Sequence, residues 1–295
     1  MFARIAPFFF VLIWSTGFIV ARGVVPHVSP ELFVAIRLLL TAAVLAGAAW
    51  IARERWPRGR RLVPHLLAGA MLHGVYLCLS WWAVARGMPA GIMSLLGALQ
   101  PLMVAIASFF LLGERLAPRG WGGLAVAILG VGCVLTPVLR ASGVGSADAA
   151  GAVAAILAIL SMAGGTLIQR GSIAADPIWV SGAVQNAGGA LVAILAALLL
   201  GGMRWDDTPV LWLGLAWSVL GLSAAGLSLL VWMVRHQGAT RMSTLLLLVP
   251  PLAAIEAWWI FGERLGPIQL AGFALALGGV LMARTRGKVA LAEPA

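Results

Sequence analysis

Four polar side chains fall where a chain this apolar has little use for them. His73, Tyr76 and Ser80, in the stretch HGVYLCLS, follow one another at i, i+3 and i+7, which predicts one stripe along a helix. Gln100 stands at a similar depth in the next apolar run, directly before the helix-disturbing Pro101. Imidazole, phenol, hydroxyl and amide together supply donors and acceptors for reversible recognition of a small molecule, or for plain hydrogen bonds between helices. Trp14, Ser15 and Phe18 in the first apolar run could add an aromatic lining, and Trp81 and Trp82 either extend it or anchor at a membrane surface. Ser161, Thr166, Ser243 and Thr244 are the matching hydroxyl candidates later in the chain, residue types that also serve close helix packing.

Two full charges lie inside apolar runs. Arg37 is six residues past Glu31, and Glu256 is seven before Glu263. At 1.5 Å per residue both sit roughly 9–11 Å below the same boundary, so a salt bridge acting as fold lock or gate is one reading. Glu256 is the best candidate for proton coupling, and Arg37 reads more readily as structural. Pro101 and the Pro250–Pro251 pair remove backbone donors at matching places, so each is a candidate hinge or kink.

The elements that must position these groups follow from composition. Of 295 residues, 62% are apolar and 10% charged, with a mean hydropathy of +1.01. A soluble domain needs roughly 25% charged residues to cover its surface. Apolar stretches of about 20 residues recur, each long enough to cross a hydrocarbon core as a helix, without the period-two alternation of a barrel. The expectation is an all-α polytopic membrane protein with ten transmembrane helices. They fall near 5–25, 31–52, 62–85, 88–112, 119–138, 149–169, 177–201, 209–234, 242–261 and 267–284. The first run is too long for a signal-peptide core and reads as a spanning helix.

The net charge of +10 would suggest nucleic acid in a soluble protein, but here the basic residues sit in short loops. Fourteen Lys and Arg fall on one side and five on the other, with Arg37 inside a span. The excess predicts cytoplasmic N and C termini, lipid as the surrounding partner and no nucleic-acid partner. Cys78 and Cys133 both fall within spans, which argues against a disulfide framework. No Cys/His spacing suggests a metal, no P-loop is present, and no cofactor is expected.

The chain also repeats itself. LLGERLAP and IFGERLGP end two apolar runs 149 residues apart. Under that shift Arg86 falls on Arg235, Met93–Ser94 on Met242–Ser243, Pro101 on Pro250, Pro118 on Pro267, Gly123 on Gly272 and Gly130–Val131 on Gly279–Val280. The register holds without a gap for about 45 residues. Arg37 falls on Asn186, and Glu256 on Ala107. The two GERL turns are separated by five spans, an odd number, so they are expected on opposite faces. Residues 1–140 and 149–286 then form inverted five-helix repeats, followed by a cytoplasmic tail at 287–295. The GERL glutamate reads as structural, accepting from the N–H groups of the next helix or pairing with an arginine.

The doubled P…GERL…P…G…G ending, with IWSTGFIVARG in the first span and RLLLTA in the second, resembles the EamA family of the drug/metabolite transporter superfamily. The resemblance covers nearly the whole chain. It implies a central cavity surrounded by spans one, three, four, six, eight and nine, with spans five and ten outside. It further implies a bacterial inner-membrane exporter of small metabolites, most similar to the branch that exports aromatic amino acids. The expected function is alternating-access export of small amphipathic metabolites, with drugs or other metabolites as the alternative cargo. A single chain forms a complete pathway, so a monomer suffices. An intramembrane enzyme is disfavoured because no paired-carboxylate site, His-Glu-x-x-His or nucleophile elbow is present, and a pore because no ring of like charge is visible.

Overall fold

The computed structural model describes residues 2–114, 116–142, 147–173, 175–200, 203–237 and 245–284. Ser243 and Thr244, the start of the expected ninth span and the 287–295 tail lie outside them. In lipid the backbone must satisfy its own polar groups, and these long apolar runs do so as helices. In chain order they are α1 (Phe2–Val24), α2 (Pro30–Ile51), α3 (Gly59–Ala85), α4 (Ala90–Leu112), α5 (Pro118–Ser142), α6 (Ala147–Ser172), α7 (Ile178–Leu200), α8 (209–237), α9 (Val249–Phe261) and α10 (Pro267–Arg284). Eight of them, α1 to α8, are long and apolar enough to cross a membrane, while α9 and α10 are shorter apolar helices. No strand occurs among the described residues beyond one isolated bridge, Val28 to Trp205. The protein is an all-helical, multi-span membrane protein.

Three departures from regular helix recur at matching places. Gly113 and Gly262 end α4 and α9 in the left-handed region, with φ of 67° and 68°. Only glycine adopts that conformation without steric cost, and it lets Glu114 N reach Ser108 O and Glu263 N reach Ala257 O, both at 3.3 Å. Upstream, α4 is interrupted at Leu99, and α9 begins after Leu248, 149 residues later. The next residue but one in each case is proline, which has no N–H for the carbonyl four residues back, so the regular helix is interrupted beside both proline sites. Third, α3 widens into a π-helical segment at Ala70–Val75 and α8 at Trp217–Ala225, which overlap under the same shift.

Packing repeats the pattern. The most extensive interface joins α5 to α10, and α2 likewise packs along its counterpart α7. A Cβ placed on Gly123 would lie 2.5 Å from Gly279 O, and one on Gly272 would lie 2.6 Å from Gly130 O. Each contact becomes the other when the two halves are exchanged, and the helices run antiparallel along it. Backbones approach this closely only where side chains are missing, as in small-residue interfaces within membranes. Likewise α1 packs on α9 as α6 packs on α4.

The connections segregate to two ends. At one, the α1–α2 and α7–α8 loops pair through Ser29 N to Arg204 O (3.0 Å) and Asp206 N to His27 O (2.8 Å). At the other, Glu54 Oε2 accepts from Val180 N at the start of α7 (2.8 Å), and His65 Nε2 lies 2.9 Å from Asp176 Oδ2.

Candidate transport site

The π-helical part of α3 carries His73, one of the candidate site residues. A π turn widens the helix by one residue and exposes side chains and carbonyls that a regular helix would stack. Here the Tyr76 amide bonds back to Met71 O, and Ser161 Oγ of α6 donates to the same carbonyl at 3.0 Å. His73 lies half-buried on this segment and Tyr76 half-buried directly after it, with the Tyr76 hydroxyl over Gly97 of α4. Ser80 does not join them as an open group: it is fully buried and donates to Leu77 O within its own helix, at 3.2 Å.

Two polar bridges tie helices around this segment. Gln100 Nε2 of α4 donates to Thr166 Oγ1 of α6 at 2.7 Å, and Thr166 in turn donates to Met162 O at 2.8 Å. Ser15 of α1 is 1% exposed, with its hydroxyl 2.7 Å from Glu256 Oε1 of α9 and 2.9 Å from Leu12 O. Thus α4–α6 and α1–α9, the pair of interfaces related by the repeat, are both crossed by a side-chain hydrogen bond. Glu256 Oε2 is enclosed without a hydrogen-bond partner. Trp14 packs against Phe10, ring centroids 5.0 Å apart, and against Gly226 of α8, while Phe18 is half-buried beside it.

Arg37 and Glu256 make separate contacts instead of a salt bridge. The guanidinium carbon of Arg37 lies 5.8 Å from the ring centroid of Trp81, which is fully buried and stacked on Phe33 at 4.9 Å. Equal depth in two helices does not bring them together: Glu256 faces α1, and Arg37 faces α3. Trp82, by contrast, carries Arg86 at 4.6 Å over its ring, at the end of α3. Asn186, the counterpart of Arg37, satisfies itself by donating to Gly182 O of its own helix (2.8 Å).

The GERL glutamates form latches that sequence patterning only half anticipates. Glu263 Oε1 pairs with Arg22 Nε at 3.1 Å, and its Oε2 accepts from Ala90 N at 3.0 Å. The amide belongs to α4 in the other half, not to the following helix; α10 instead has Gln269 Oε1 accepting from Gly266 N (2.9 Å). A carboxylate at the start of α4 meets the positive end of the helix dipole. Burial pushes the Glu263 carboxyl above the usual range, opposed by the Ala90 amide and Arg22. Glu114 pairs with Arg170, at the end of α6, at 3.3 Å. Each glutamate therefore reaches the arginine closing the first helix of the opposite half.

Comparison with known proteins places this arrangement. The EamA-like transporter family matches over residues 2–136 and 149–285, and the chain belongs to that family. It is a transporter rather than an enzyme. A "Probable terminal-alkyne amino-acid exporter" from Streptantibioticus cattleyicolor is 30% identical over 259 residues, covering 85% of this chain and 82% of that one. A "Probable amino-acid metabolite efflux pump" from Salmonella typhimurium is 26% identical over 287 residues, covering 92% and 90%. A solved crystal structure shares the fold at a TM-score of 0.63 and 24% identity, over 96% of each chain.

Proposed function

We propose that the protein exports small amphipathic metabolites, amino acids including aromatic ones foremost, across the bacterial inner membrane by alternating access. The observation that carries the reading is the exchange of contacts between halves, above all Gly123 with Gly279 against Gly130 with Gly272 across antiparallel helices. Such symmetry supports ten spans arranged as inverted repeats, with an axis in the membrane plane and two conformations of similar energy. Both termini face the cytoplasm in this reading, and one chain suffices.

Cargo sits between α1, α3, α4 and α6, against Trp14, Phe18, His73, Tyr76 and Gln100. Breaks at Leu99 and Leu248, beside Pro101 and Pro250–Pro251, act as hinges. Glu256, with one oxygen unsatisfied, is the group whose protonation would couple to transport. The relatives' names support an amino-acid cargo at 26–30% identity. Counterflow of labelled phenylalanine and tryptophan in proteoliposomes tests this directly. Saturable exchange supports the cargo, whereas exchange of permanent cations alone would move drugs ahead of amino acids. If Glu256→Gln removes the response to a pH gradient but leaves exchange intact, coupling runs through that carboxyl.

A further inference from the structure

Among the described residues, the side chains of Arg37, His73 and Tyr76 make no hydrogen bond or ion pair with the protein. Their location makes this costly. Arg37 is eight positions into α2, its Nε is enclosed without an acceptor, and its guanidinium carbon lies 5.8 Å from the ring centroid of Trp81, on the helix that carries His73 and Tyr76. An unpaired guanidinium among apolar helices is strongly unfavourable unless an anion or ordered dipoles compensate it. The repeat sharpens the point, because Asn186 at the equivalent place is bonded to its own helix. One half has closed this polar position, and the other has kept it open, with a π-helical turn beside it.

We infer that Arg37, His73 and Tyr76 form a binding site for the carboxylate of the transported molecule. The chemistry fits one negative charge. A guanidinium offers a planar fork matched to a carboxylate, and the phenol O–H and an imidazole N–H are two further donors. With a single fixed positive charge in an apolar setting, a monoanion balances the site and a dianion does not. Trp81, buried and stacked on Phe33, offers its ring to the guanidinium, a cation–π contact that uses none of the fork's N–H donors. Gly97 leaves room over the Tyr76 hydroxyl, where an apolar substituent of the same molecule can lie. This assignment rests on the transport reading for its cargo, but not on that cargo being an amino acid.

Binding to the purified full-length protein in lipid nanodiscs tests it, with 3-phenylpropionate, phenylalanine and 2-phenylethylamine as probes. The acid is expected to bind, and Arg37→Gln to weaken it by about tenfold or more, as loss of a charge-assisted pair does. Arg37→Lys retains part of the affinity, and Tyr76→Phe loses a few-fold. The ligand-free Arg37→Gln protein should melt no lower than the native one, because it sheds a buried unpaired charge; a purely structural arginine would give the opposite. If Arg37→Gln does not fold, the Tyr76→Phe shift decides. Equal binding of 3-phenylpropionate to both proteins, no binding to the native one, or equally tight 2-phenylethylamine overturns the site. Arginine-dependent binding of 3-phenylpropionate without phenylalanine keeps the site and removes the amino-acid cargo. Arginine-independent phenylalanine binding does the reverse.

Discussion

The Glu263 side chain is 13% exposed and holds both an arginine and a helix-end amide, whereas the Glu114 side chain, 149 residues earlier, is 47% exposed opposite Arg170. The same four letters therefore have different energetic weight. Glu263→Ala strips a buried amide of its acceptor and leaves Arg22 unpaired, which should cost about 1–3 kcal/mol. Glu114→Ala removes a solvent-screened pair and should change stability by under about 1 kcal/mol. Thermal unfolding of both variants in detergent compares them, and equal losses would contradict the burial argument. Gln100 and Thr166 allow a second check, since their hydrogen bond crosses α4 to α6 at 2.7 Å. A double-mutant cycle with Gln100→Leu and Thr166→Val should return a coupling of roughly 0.6–1.7 kcal/mol. The GERL repeat was legible because it is written in charged letters on an apolar background. Its partners were not, because Ala90 lies 173 residues away in sequence and nothing in its type marks it.

At the scale of elements, periodicity found the helices but not their interruptions. A segment bonded i to i+5 buries the same apolar letters as one bonded i to i+4, so Ala70–Val75 and Trp217–Ala225 leave no hydropathy signature. The breaks before Pro101 and Pro250 were legible, since proline removes a donor wherever it stands. Counting residues from the span ends left a pairing of Arg37 with Glu256 open, yet the two face different neighbours. Rotation about the axis and choice of neighbour depend on packing, which one-dimensional spacing does not contain. Deleting one residue within 70–75 should restore a regular turn and rotate His73 about 100° against Tyr76. Insertion should persist while exchange of labelled substrate falls by at least about tenfold, the usual scale for a misplaced binding group. At the α5–α10 seam, Gly130→Val meets backbone at Gly272 and Ala276 and should cost about 1–3 kcal/mol, read as a lower melting temperature.

For the whole molecule, the central claim is that two similar halves exchange roles, one end closing as the other opens. The paired left-handed glycines, π-helical segments, helix breaks and α5–α10 contacts all repeat at one offset, so a rearrangement available to one half is available to the other. The end with Arg22 and Glu263 is tied by the buried latch and by the pairing of Val28 with Trp205, while the opposite end carries the exposed Arg170–Glu114 pair. Distances between spin labels at Arg86 and Asp206, and separately at Arg55 and Arg119, report the two ends. With Cys78 and Cys133 replaced by serine and the protein in nanodiscs, adding a transported ligand should lengthen one distribution and shorten the other. Two distributions that stay fixed during transport, or that move in the same direction, would contradict alternating access by these halves.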